Sequence, residues 1–107
     1  MKALVLTVLL CTLSSVAIAE PVRVASKSFP ENQLLAEVIA QLLEAEGYEV
    51  ERRFGLGGTL VCYEALVNDE VDVYVEYTGT LLQAILKLEL DSPTIARLNA
   101  VAPEGVE

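Results

Sequence analysis

The sequence contains no histidine and no tryptophan, and its seven basic residues are outnumbered by sixteen acidic ones. Without an imidazole, zinc ligation through histidine is excluded, as is any acid–base or nucleophilic mechanism that turns on one. The shortage of cations, with a net charge of −9, argues against nucleic acid as a partner, because phosphates would be repelled. Cysteine is scarce too, with Cys11 and Cys62 the two present. What the chain has in quantity is apolar side chains, 53% of 107 residues, at a mean hydropathy of +0.47. One domain at most fits that length.

Many of the apolar residues lie in the first nineteen positions. Met1-Lys2 gives a short positive region, Ala3 to Val16 an apolar run, and Ala17-Ile18-Ala19 a small-x-small cleavage pattern before Glu20-Pro21. This is the layout of a secretory signal peptide. The run is shorter than the roughly 20 residues of a spanning helix and contains Ser14 and Ser15. Leu10 before Cys11 is too bulky for a lipid-attachment site, so export into a periplasm with cleavage is expected. The domain then runs over 20–107, with six basic residues against sixteen acidic and Cys62 its sole cysteine. A single cysteine forms no internal disulfide, and Cys62 reads as a small buried side chain in a helix.

Strand and helix patterns alternate along this part. Val22 to Ser26 is β-branched and predicts a first strand. Ser28 and Glu31 have capping-box spacing with Pro30 in the first turn, which predicts a helix. Leu34, Leu35, Val38, Ile39, Leu42 and Leu43 recur at helical spacing and predict its apolar face, and Gly47 its end. Tyr48 to Phe54 reads as a second strand and Gly55-Leu-Gly-Gly58 as a loop. Thr59 is placed to cap a helix over Leu60–Asn68. Val71 to Glu76 reads as a third strand, Thr80 as the cap of a helix from Leu81 to Leu88, and Asp91-Ser92-Pro93 as the start of a last helix reaching Ala100. This order predicts an α/β fold with a three-stranded parallel sheet and flanking helices. Three strands are few, and the alternation calls for another strand where the sequence stops, so a fragment, or a chain that needs a partner to complete its sheet, is expected. Its exposed sheet surface is expected to favour self-association.

In open α/β sheets ligands bind beyond the carboxyl ends of the strands, where strand order reverses. If strand one lies between two and three, that crevice is flanked by Lys27-Ser28-Phe29 and Tyr77-Thr78-Gly79-Thr80. Together they offer a cation, aromatic rings, hydroxyls and backbone N–H groups. Neither a P-loop nor a dinucleotide fingerprint is present. No nucleophile–base pair is visible either, and Asp72 and Glu76 form no metal-like cluster, so no enzyme activity, metal or cofactor is expected.

Three segments bear on function together. Ser26-Lys-Ser-Phe-Pro-Glu31, Phe54-Gly-Leu-Gly-Gly-Thr59 and Val71-Asp-Val-Tyr-Val-Glu-Tyr-Thr-Gly-Thr80 resemble, in the same order, motifs of the osmoprotectant-binding proteins of ABC importers, which take glycine betaine, carnitine and choline. The resemblance implies part of the first lobe of a two-lobed type II periplasmic-binding fold, a small quaternary-ammonium ligand, and an inner-membrane ABC permease as partner. It also places ligand contacts at Lys27, Tyr77 and Thr80. Tyr77 would be a wall of an aromatic cage, and Lys27 with the Thr80 hydroxyl would hold a ligand carboxylate. Taken without the motifs, Lys27 is an ordinary solvated lysine and Tyr77 a packing residue. Glu31 then reads as a capping partner and Glu76 as a free carboxylate at a strand end. Two other readings accompany the importer component: a truncated gene copy without activity, and an exported α/β enzyme.

Overall fold

The computed structural model describes residues 18–87, 100 and 104–105. The last helix expected, from Asp91 to Ala100, lies outside the described residues except at its end. Chain order is β1 (Val22–Lys27), α1 (Pro30–Ala45), β2 (Val50–Gly57), α2 (Thr59–Val67) and a helical turn α3 (Thr78–Thr80) that runs into a π-helical turn over Leu81–Ile85. β1 and β2 pair in parallel, with Val22 opposite Val50 and Ala25 opposite Arg53. On the other side of β1, Val73 forms a parallel bridge to Val24. The expected order, with β1 in the middle, is therefore present, but the third strand is reduced to that bridge.

The reason for the reduction is local. Ala25 N–H donates to the Val73 carbonyl at 2.8 Å, as in a parallel ladder. The next rung would join Lys27 N–H to the Val75 carbonyl. Instead the side chain of Asn32 stands between them. Its Oδ1 accepts from Lys27 N–H at 2.7 Å, and its Nδ2 donates to Val75 O at 2.9 Å. The ladder is relayed through a carboxamide, and the two chains part beyond Val73.

α1 and α2 cover opposite faces of β1, as the alternation of a strand requires. Val24 packs with Ala36 and Ala40 of α1, joined by Ile39, Leu43, Val50, Phe54 and Val73. Its neighbour Ala25 packs with Ala65 of α2 and with Val71, flanked by Leu66 and Tyr74. Cys62 is fully buried, as expected. The face that α1 turns to the sheet matches the expected stripe at Ile39 and Leu43 and differs from it elsewhere. Asn32, Ala36 and Ala40 are buried, whereas Leu34, Val38 and Leu42 are 65%, 49% and 63% exposed. Small residues let the helix backbone approach the sheet closely, so closeness selects alanine over leucine here.

Element ends also depart from expectation. α1 begins after Phe29 with Pro30 in its first turn, and no side chain caps it, so the Ser28–Glu31 capping box does not form. It ends as expected at Gly47, whose φ of +92° suits glycine. Gly47 N–H donates to Glu44 O and Tyr48 N–H to Leu43 O, a Schellman closure. β2 continues through Gly55–Gly57 rather than looping out, with an irregularity between Ala25 and Lys27. The buried Ser26 hydroxyl bridges it by accepting from Gly55 N–H at 2.8 Å. Thr59 and Thr80 lie inside helical turns and cap neither.

Candidate functional site

The carboxyl ends of β1 and β2 and the start of α3 enclose an open cleft of about 570 Å³, lined by Lys27, Ser28, Phe29, Gly57, Gly58, Thr59, Tyr77 and Thr80. Lys27, Tyr77 and Thr80, which the sequence assigned to one mouth, thus line one cavity. The Lys27 ammonium lies 5.5 Å from the centroid of the Tyr77 ring. Phe29 stacks obliquely on the same ring, with centroids 6.0 Å apart and planes inclined by 29°. Gly57, with φ of +151°, keeps the rim low, because a Cβ there would press on the Val61 side chain at 3.3 Å.

Lys27 is not a solvated lysine. It is 4% exposed, and its Nζ donates to Glu76 Oε1 at 2.5 Å and to the Thr59 hydroxyl at 3.0 Å. Glu76 is correspondingly not a free carboxylate. Oε1 also accepts from Tyr77 N–H at 2.9 Å, and Oε2 accepts from the Tyr74 hydroxyl at 2.9 Å. Burial, helped by that last bond, pushes the Tyr74 phenol well above its ordinary pKa. A buried ion pair with further hydrogen bonds to its carboxylate is tolerated, but removing one partner strands the other at a cost of about 3–5 kcal/mol. Among the described residues every buried side-chain nitrogen and oxygen has a partner.

Glu31, expected as a cap, instead accepts from the Tyr77 hydroxyl at 2.8 Å, which raises the phenol's pKa. Tyr77 is therefore fixed at both ends, its backbone by Glu76 and its hydroxyl by Glu31. Three contributors escaped the sequence reading: Asn32, Thr59 as an acceptor for Lys27, and Glu76 as its counter-ion. A buried polar residue on the inner face of α1 was the one available signal, and the leucine pattern masked it. Among the described residues no group of carboxylates or thiols could hold a metal. The site offers one charge-balanced ion pair, two aromatic rings and hydroxyls, a set suited to binding rather than bond-breaking.

A family model described as the substrate binding domain of ABC-type glycine betaine transport systems matches residues 20–106. The chain belongs to this family. Its members are binding proteins, not enzymes. Among relatives, the glycine betaine-binding protein YehZ of Escherichia coli is 43% identical over 61 residues, covering 57% of this chain and 20% of its own. The ergothioneine transport permease/ergothioneine binding protein EgtU of Helicobacter pylori is 39% identical over 69 residues, 64% of this chain and 12% of its own. The solved structure of apo YehZ from E. coli superposes with a TM-score of 0.63 at 40% identity, over 68% of this chain and 26% of that one. The chain thus spans between 12% and 26% of these relatives, and the fold described is part of the larger periplasmic-binding architecture of the family.

Proposed function

We propose that the chain supplies one wall of the ligand cleft in a periplasmic solute-binding component of an ABC importer, with a small quaternary-ammonium zwitterion such as glycine betaine as ligand and the importer's permease as partner. The observation that carries this reading is the meeting of Lys27, Phe29, Tyr77 and Thr80 on one cleft. The trimethylammonium head rests on the Tyr77 and Phe29 rings, whose faces attract diffuse positive charge. The ligand carboxylate is held by the Thr80 hydroxyl and by the N–H of Lys27 that Glu76 and Thr59 leave unused. Family membership and the names of the relatives support the ligand class, and the signal-peptide pattern over 1–19 supports export.

The test is a titration of the full chain with glycine betaine, carnitine, choline and ergothioneine, followed by backbone amide NMR. An open half-site leaves much of the ligand in water, so dissociation constants of about a millimolar are expected. The shifts should centre on Lys27, Tyr77 and Thr80. Thr80→Val should weaken the three carboxylate-bearing ligands and leave choline unchanged. Absence of shifts at these amides with all four ligands would sink the reading.

A further inference from the structure

We propose that Glu76 sets the charge selectivity of the cleft by acting as a resident carboxylate for Lys27, so that the floor beneath the ligand carries no net charge. This deepens the reading above and rests on it for the identity of the ligands. Glu76 does not line the cavity; it sits one layer deeper and works through Lys27, which makes it a positioning residue.

Three observations lead there. Lys27 is the cation at the cleft, and its side chain is 5% exposed. Glu76 touches it at 2.5 Å and is itself 13% exposed, so water screens the pair weakly. Glu76 accepts in addition from Tyr77 N–H and from the Tyr74 hydroxyl, which fix the carboxylate in place. A bare lysine at this point would draw any small carboxylate. With its charge cancelled, it offers a ligand one hydrogen bond and little net field. A molecule of zero net charge then loses nothing, a cation is tolerated because Glu76 balances Lys27, and an anion gains no attraction.

The experiment compares the full chain with its Glu76→Gln variant, which keeps the shape of the side chain and removes the charge. The probes are glycine betaine, choline and dimethylbutyrate, the anion in which a tert-butyl group replaces trimethylammonium. In the variant, dimethylbutyrate should bind about tenfold tighter and choline severalfold weaker, with glycine betaine little changed, because uncovering one charge at short range alters each ligand by its own net charge. Equal losses for all three would mean that Glu76 is merely structural and would overturn the proposal.

Formate gives an arm that needs no osmoprotectant. It should shift the Tyr77 amide in Glu76→Gln and leave the wild type unmoved. If none of the three larger ligands binds either protein while formate still distinguishes them, the ligand assignment fails and the role of Glu76 stands. If formate shifts the wild type equally, Lys27 is not neutralised and the role of Glu76 fails. Should Glu76→Gln not fold, Lys27→Met with Glu76→Gln removes both charges. That double variant should bind neither formate nor dimethylbutyrate better than the wild type, and a formate shift at Tyr77 there would refute the proposal.

Discussion

Asn32 stands between the backbones of Lys27 and Val75 and takes the place of the rung that would have joined them, accepting from one at 2.7 Å and donating to the other at 2.9 Å. A fully buried side chain of α1 thereby opens the sheet at the point where the cleft begins. Asn32→Ala leaves the buried Lys27 N–H and the partly buried Val75 C=O unpaired. Its expected effect is a loss of about 2–4 kcal/mol in urea denaturation. Asn32→Asp keeps the acceptor but turns the donor into a second acceptor against the Val75 carbonyl. Burial and that contact favour its neutral form, so its deficit relative to wild type should shrink as the pH falls through the raised carboxyl pKa. A pH-independent deficit would contradict the relay.

Much of this arrangement was legible in the sequence, and the reasons it was not fully so are specific. Strand alternation puts Val24 and Ala25 on opposite faces, and supposing strand one between two and three puts the crevice at the loops after strands one and three. The three motifs located Lys27, Tyr77 and Thr80. Hydrophobicity, however, ranks leucine above alanine, so the expected face of α1 included the exposed Leu34, Val38 and Leu42 beside Ile39 and Leu43, which do pack on the core, and left out Asn32, Ala36 and Ala40. Side chains with local uses misled as well. Thr59 and Glu31 each sit at capping spacing, yet both are drawn into tertiary bonds, with Lys27 and Tyr77 respectively. Pairing between residues 49 positions apart, as in Lys27 and Glu76, has no periodic signal to betray it.

The Tyr77 ring and the Tyr77 hydroxyl have separable duties. Tyr77→Phe removes the exposed bond to Glu31 and keeps the ring, so stability should fall by less than about 1 kcal/mol and glycine betaine affinity should hold. Tyr77→Leu removes the aromatic face and should weaken glycine betaine by about tenfold. Paired NMR titrations of the two variants decide the matter, and equal affinities would remove Tyr77 from the ligand wall.

Acid should loosen the far edge of the sheet, where β2 meets α1. Arg52 on β2 forks across to Glu37 at 2.8 Å and Glu44 at 2.6 Å on α1. The guanidinium holds the Glu37 carboxyl down at about 2, from an ordinary value of 4.5, and lowers Glu44 as well. A depressed carboxyl stabilises the fold above its unfolded pKa, and that contribution is lost as the pH falls through the folded one. The window is therefore from 4.5 down to about 2. Melting curves across it should fall more steeply for the wild type than for Arg52→Gln, and parallel curves would show that these exposed pairs do not contribute.

Leu34, Val38 and Leu42 form a solvent-facing apolar stripe along α1, spaced four residues apart and each about half exposed or more. Self-association was expected from bare sheet; the helix offers a more accessible surface. The triple change Leu34→Gln, Val38→Gln and Leu42→Gln removes no buried contact, and glutamine is a good helix former, so each change should alter stability by no more than about 0.5 kcal/mol. Sedimentation at rising concentration should show less association in the variant than in the wild type. A large loss of stability would mean that the stripe is covered within the chain, and unchanged association would move the sticky surface elsewhere, with the exposed Leu60 and Val61 of α2 next to be tried.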